Sequence, residues 1–154
     1  MTDQTNGQDA GAAPPIVVNA QYVKDLSFEN PNPLKSLGAT EQPRGELQVN
    51  VGARPLGGNA FEVVLSIRSE AQVEDTTAFI MELEYAGIFT LNGIPQEHVH
   101  PVLMIEAPRL LFPFARQIVA NLTREGGFLP MMLPPIDFAA LYQQQAMQAQ
   151  AGQA

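Results

Sequence analysis

The chain has 154 residues, no cysteine, no tryptophan and a formal net charge of −8. That length suits one domain with its own apolar core, and the missing cysteines exclude disulfides, thiolate chemistry and cysteine-held zinc. The acidic balance argues against a surface for nucleic-acid phosphates and favours a basic partner or simple solubility.

Residues 1–15, "MTDQTNGQDAGAAPP", are small and polar and end in Pro-Pro, which predicts a disordered arm. The first 23 residues hold no Lys or Arg, so no signal peptide is expected. No apolar run approaches the ~18–20 residues of a spanning helix, and a cytoplasmic protein is expected. Four segments then alternate with period two. In residues 21–30 one face is Tyr22, Lys24, Leu26 and Phe28, and the other is Val23, Asp25, Ser27 and Glu29. Residues 46–51 set Leu47, Val49 and Val51 against Glu46, Gln48 and Asn50. Residues 61–70 set Phe61, Val63, Leu65 and Ile67 against Glu62, Val64, Ser66 and Arg68. Residues 78–85 set Phe79, Met81, Leu83 and Tyr85 against Ala78, Ile80, Glu82 and Glu84. This alternation predicts antiparallel strands with one covered and one wet face. "PLGGN" at 55–59 is short enough to close a hairpin.

The second half is helical. Leu111, Phe114, Ala115, Ile118, Val119 and Leu122 form a stripe with helical spacing. Pro113 belongs to its first turn or marks a kink, and Gly126 is the expected C′ glycine. A short helix is placed over 95–106. A last helix starts after Asp137, a good N-cap, and carries Phe138, Leu141 and Tyr142 on one side. From residue 143 a Gln/Ala-rich tail begins, which frays toward 154. The expected class is α+β: a four-stranded antiparallel sheet with helices on one face.

Between the two helices lies "GGFLPMMLPPIDF", residues 126–138. Its prolines exclude both a helix interior and a central strand. Connections normally run over the surface and are polar, so this apolar one reads either as a cover packed on its own subunit or as the wall of a groove. Extended proline-rich backbone offers few donors, and Met adapts to varied shapes.

Chemistry is scarce. Glu97, His98 and His100 are the only metal-like cluster, and i, i+2 histidines on a helix do not face each other. No serine sits in a G-x-S-x-G turn, and Gly57-Gly58 lacks the Lys-Ser/Thr of a phosphate cradle. An enzyme is not expected, and neither is a metal or other cofactor. Asp25, Glu29, Glu46, Glu62, Glu82 and Glu84 point one way in this register. They form either a solvated face or an acidic dock with Ile80 as an apolar contact. Such a dock also fits a non-catalytic adaptor that binds a folded basic partner.

The blocks "YVKDLSFENPNP" (22–33), "FEVVLSI" (61–67), "GIFTLNGI" (87–94), "LLFPFAR" (110–116) and "LPPIDFAALY" (133–142) occur in an order that resembles the SecB protein-export chaperones. The likeness runs from about residue 20 to 143, which makes 16–142 the chaperone domain. It implies dimers that pair their sheets and associate as a dimer of dimers, a homotetramer. It also implies an ATP-independent holdase that keeps unfolded precursor proteins export-competent and delivers them to the SecA motor, with no membrane insertion and no nucleic acid. By position, the SecA-docking residues become Asp25, Glu29, Ile80 and Glu82. The tetramer-governing residues become Met81, Leu83 and Tyr85. The client groove takes Leu47, Val49, Phe128, Leu129, Met131, Met132, Leu133, Leu141 and Tyr142. Glu41 stands where some relatives have tryptophan, and Gly45 where a larger apolar residue could extend the groove.

Overall fold

The computed structural model describes residues 13–152, so most of the expected arm, 1–12, lies outside the described residues. Four strands, β1 (Ile16–Glu29), β2 (Arg44–Gly57), β3 (Ala60–Val73) and β4 (Thr76–Leu91), form one antiparallel sheet in the order β1-β4-β3-β2. All four are longer than the alternation alone marked. β1 begins at Ile16, and just before it Pro14 O and Pro15 O accept bonds from Asn92, which hold the chain to the sheet end.

The β2–β3 hairpin closes through Gly57 and Gly58, whose φ values of 113° and 59° favour residues without a Cβ. Pro55 is tolerated because β2 is an edge strand. The β3–β4 turn instead uses Glu74 and Asp75 at φ 48° and 61°, so it carries no glycine to announce it.

A helix then covers one face. After α1 (Pro33–Ser36), a single turn between β1 and β2, the covering helix runs as α2 (Gln96–Pro101), a π-helical stretch (Val102–Glu106) and α3 (Ala107–Glu125). The short 95–106 helix and the long one are therefore a single rod. Pro101, Pro108 and Pro113 each remove a backbone donor, and the wider π register absorbs the disturbance instead of a break. Ala107, Leu111, Ala115, Val119 and Thr123 recur every four residues and are buried against Val63, Leu65, Ile67, Met81 and Leu83. Each large side chain buried there stabilises by ~1.5–3 kcal/mol. Phe114, expected on this stripe, lies 47% exposed on the neighbouring face.

The helix ends in a Schellman motif: Phe128 N–H donates to Thr123 O and Gly127 N–H to Arg124 O. The left-handed residue is Gly127, φ 94°, one place beyond the expected Gly126. Position 126 still requires glycine, because a Cβ there would lie 2.5 Å from the Phe28 ring. A final helix, α4 (Phe138–Ala151), is capped by Asp137, whose side chain accepts from Ala140 N–H. It includes most of the stretch expected as a tail. It packs on the helical rod rather than on the sheet, through Phe138 against Phe112 and Tyr142 against His100.

Candidate binding clefts and docking face

The apolar crossover, 126–137, is pinned at alternate points. Thr123 Oγ1 is buried, donates to helix carbonyls and accepts from Met131 N–H at 2.8 Å. Arg116 Nε donates to Leu133 O at 2.9 Å. Leu133 itself is 1% exposed and belongs to the core, so it offers no groove surface. That corrects its placement in the groove: the fixed carbonyl and the inward side chain go together. Phe128 and Met131 are half-buried, and Phe128 leans on Phe79 with ring centroids 5.2 Å apart. Leu129 and Met132 are held outward, 67% and 59% exposed. The segment is thus cover on one side and presented apolar surface on the other.

The expected groove residues divide between two clefts. One, of about 250 Å³, lies between residues 39–43 and the crossover, with Phe79, Phe128, Leu129 and Met131 in its walls and Glu41 at its edge. The other, of about 550 Å³, lies between β2 and α4 and takes Val49 and Leu141 together with Asn50 and Gln145. Gln145 Nε2 donates to Asn50 Oδ1 at 2.6 Å across it. Leu47, on the same face of β2 as Val49, is 36% exposed and borders neither cleft. Tyr142 turns away to His100, with its hydroxyl 3.2 Å from Nδ1. Sequence reasoning placed Phe79 in the sheet core and missed it as a cleft wall. Gly45 could not have extended the groove, because its Cβ would sit 2.2 Å from Glu70 O, where β2 approaches β3 closely.

On the opposite face the register brings Asp25, Glu29, Glu46, Glu62, Glu82 and Glu84 together as expected. Glu29 stands opposite Ile80, and Asp25 opposite Glu84. Bulges after Val18 and Val23 shift the alternation in β1, which turns Tyr22 to this face and Val23 to the helix side. Lys24, taken for the face of Leu26 and Phe28, also reaches the acidic side. A shallow depression of about 290 Å³ is lined by Asp25, Ser66, Arg68, Glu82 and Glu84, among others. Arg68 bonds Glu82 at 2.8 Å. Among the described residues Asp25, Glu29, Glu46 and Glu84 make no ion pair.

Glu62 is different, at 4% exposed. Lys24 Nζ and Arg54 Nε donate to its Oε1 at 2.7 and 2.8 Å, and the Tyr22 hydroxyl donates to Oε2. Tyr22 and Lys24 belong to β1 and must cross β4 to reach it, and the small Ala86 opposite Tyr22 leaves room. The bonds from Arg54, then Lys24, then Tyr22 hold the Glu62 pKa down at about 2. Burial, with the Glu62 bond second, raises the Tyr22 pKa.

Met81, Leu83 and Tyr85, expected to govern tetramer formation, are 0%, 1% and 8% exposed beneath the subunit's own α3 and belong to the core of the subunit. Their direction along β4 was right, but the covering helix comes from the same chain. Tyr85 stacks on Phe114 and donates to Gln21 Oε1. His98 and His100 lie on α2, and no three His, Cys, Asp or Glu side chains converge among the described residues. No helix is long and apolar enough to cross a membrane.

Apolar clefts over a pinned crossover on one side of the sheet and a charged face on the other give an α+β protein with two open surfaces suited to binding. Residues 9–149 match the family model "Preprotein translocase subunit SecB". The chain is 54% identical over 146 residues to a protein-export protein SecB of Afipia carboxidovorans, covering 94% of this chain and 91% of that one. It is 56% identical over 157 residues to that of Rhodospirillum centenum, covering 96% and 94%. A solved SecB-like chaperone of Mycobacterium tuberculosis, in complex with a ChAD peptide from an antitoxin, superposes with a TM-score of 0.66 at 16% identity, over 79% of this chain and 90% of that one. That likeness shows the shared fold. The chain belongs to the SecB family of protein-export chaperones, which are not catalysts.

Proposed function

We propose that the protein is an ATP-independent holdase. It captures unfolded precursor segments along Leu129, Met132 and the two clefts, and hands them to SecA, which docks on the face of Asp25, Glu29, Ile80 and Glu82. One observation carries the client reading: Leu129 and Met132 are held in solvent by a backbone that is itself bonded down. A side chain exposed by accident would sit on a loose loop. This one is presented. Each such contact gives at most ~1.5–3 kcal/mol, so clients are held weakly at many points. The unpaired carboxylates on the other face leave the motor's site separate from the client's.

The assembly reading, a dimer of dimers, is supported by apolar side chains left uncovered. On β1, an edge strand, Val23 and Leu26 are 46% and 41% exposed; on α3, Leu110 and Phe114 are similarly open. Four copies would multiply weak client contacts into useful avidity.

The docking assignment is tested by charge reversal. Asp25→Lys or Glu82→Lys should reduce SecA binding about tenfold or more at low salt while client holding stays intact. Undiminished SecA affinity in both variants would move the dock elsewhere.

A further inference from the structure

The sheet face is not uniformly acidic. At the end farthest from Glu29 and Ile80, Lys24 and Arg54 converge on a single oxygen of Glu62. One buried carboxylate balances one of these cations, which leaves a positive surplus. Glu62 is saturated by three donors and almost without solvent contact, so it fixes the geometry and adds no open acceptor. Arg54 uses only Nε in this bond and its side chain is 63% exposed, and that of Lys24 is 38% exposed. Neither makes another ion pair among the described residues. The terminal nitrogens of a guanidinium locked at Nε suit a carboxylate, because the fork is already oriented.

We propose that this docking face is bipolar: Lys24 and Arg54, held by Glu62, receive an acidic side chain of the same partner whose basic group lies over Asp25 and Glu82. The inference rests on the reading of this face as a dock. Glu62 stands opposite Ile88 on β4, four residues from Glu84, which faces Asp25, and six from Glu82, or about 14 to 20 Å at ~3.4 Å per residue. The partner therefore carries an Asp or Glu about 14 to 20 Å from its basic cluster, and the two ends together fix which way round it sits. Charge complementarity at both ends would also exclude a partner that is basic throughout.

The test is calorimetric titration of the full-length protein with SecA at low salt, comparing wild type, Lys24→Gln, Arg54→Gln, Arg54→Lys and Asp25→Lys. Each glutamine variant keeps one cation on Glu62, and melting temperatures monitor folding. Lys24→Gln and Arg54→Gln should each weaken binding about threefold to fivefold, and Arg54→Lys, which keeps the charge without the fork, should restore only part of that loss. A uniformly basic partner gives the opposite sign: removing a cation leaves binding unchanged or tightens it, and that result overturns the proposal. So does weakening confined to Arg54→Gln and matched by a lower melting temperature while Lys24→Gln binds normally, which would make Arg54 only a scaffold for Glu62. If both glutamine variants bind normally while Asp25→Lys does not bind, the dock stands and its bipolar character falls. If wild type itself does not bind, the docking reading falls and takes the inference with it.

Discussion

Glu62 shows how much one side chain organises. It ties edge strand β1 to β3 and edge strand β2 to β3 on a face that no helix covers. Its folded pKa, about 2, lies below the ordinary carboxylate value. The stabilisation it contributes is therefore fully present above about pH 5 and is lost as the pH falls toward 2. Glu62→Gln should lower stability at pH 7 by about 1–3 kcal/mol, because charged hydrogen bonds are removed. The gap to wild type should narrow steadily below pH 5. Urea midpoints at pH 7 and pH 3, at matched protein concentration, check this; an equal gap at both would contradict it. Leu129 and Met132 behave oppositely. Replacing both with Ser should change stability by less than about 0.5 kcal/mol, since both are mostly in water. Client affinity should fall about tenfold, read as loss of holding in a refolding assay. Full holding would reduce the crossover to a cover.

At the scale of elements, the crossover depends on α3 as much as on its own sequence. Thr123 is the last member of the buried stripe and also the acceptor for Met131 N–H. Thr123→Val keeps the shape and removes the acceptor. Stability should drop by about 1–3 kcal/mol, and the Met131 amide should exchange with solvent much faster while amides in β3 and β4 stay protected. Unchanged exchange at Met131 would mean that apolar contacts alone hold the segment. The strands and the α3 stripe were legible in the sequence, because a half-buried sheet and a one-sided helix write their periods into the side chains. The β1 bulges were not, because an extra residue leaves no mark in an already polar strand. Nor was the continuity of the rod from Gln96 to Glu125, where a separate short helix over 95–106 is expected, and where Pro101, Pro108 and Pro113 lie inside the rod and the π turn absorbs them. Burial of Leu133 beside exposed Met132 follows from one bond, Arg116 to the Leu133 carbonyl, that no local pattern announces.

Across the whole molecule the two proposed binding surfaces lie on opposite sides of one sheet. The helix side carries the clefts and the presented crossover. The other side carries the carboxylates and the Glu62 clamp. On the proposed reading, a client and a motor are held on separate faces of the sheet. Positions on the open face keep their surface wherever the register is right, whereas Met81, Leu83 and Tyr85 alternate inward and are claimed by α3. The central claim is that this protein holds chains that have not yet folded. The most direct measurement is refolding of a slow-folding precursor with and without the full-length protein, in the absence of nucleotide. Arrest that saturates near one tetramer per client chain is the predicted result. Refolding at the same rate and yield in both samples would contradict the holdase account and leave a protein that binds only folded partners.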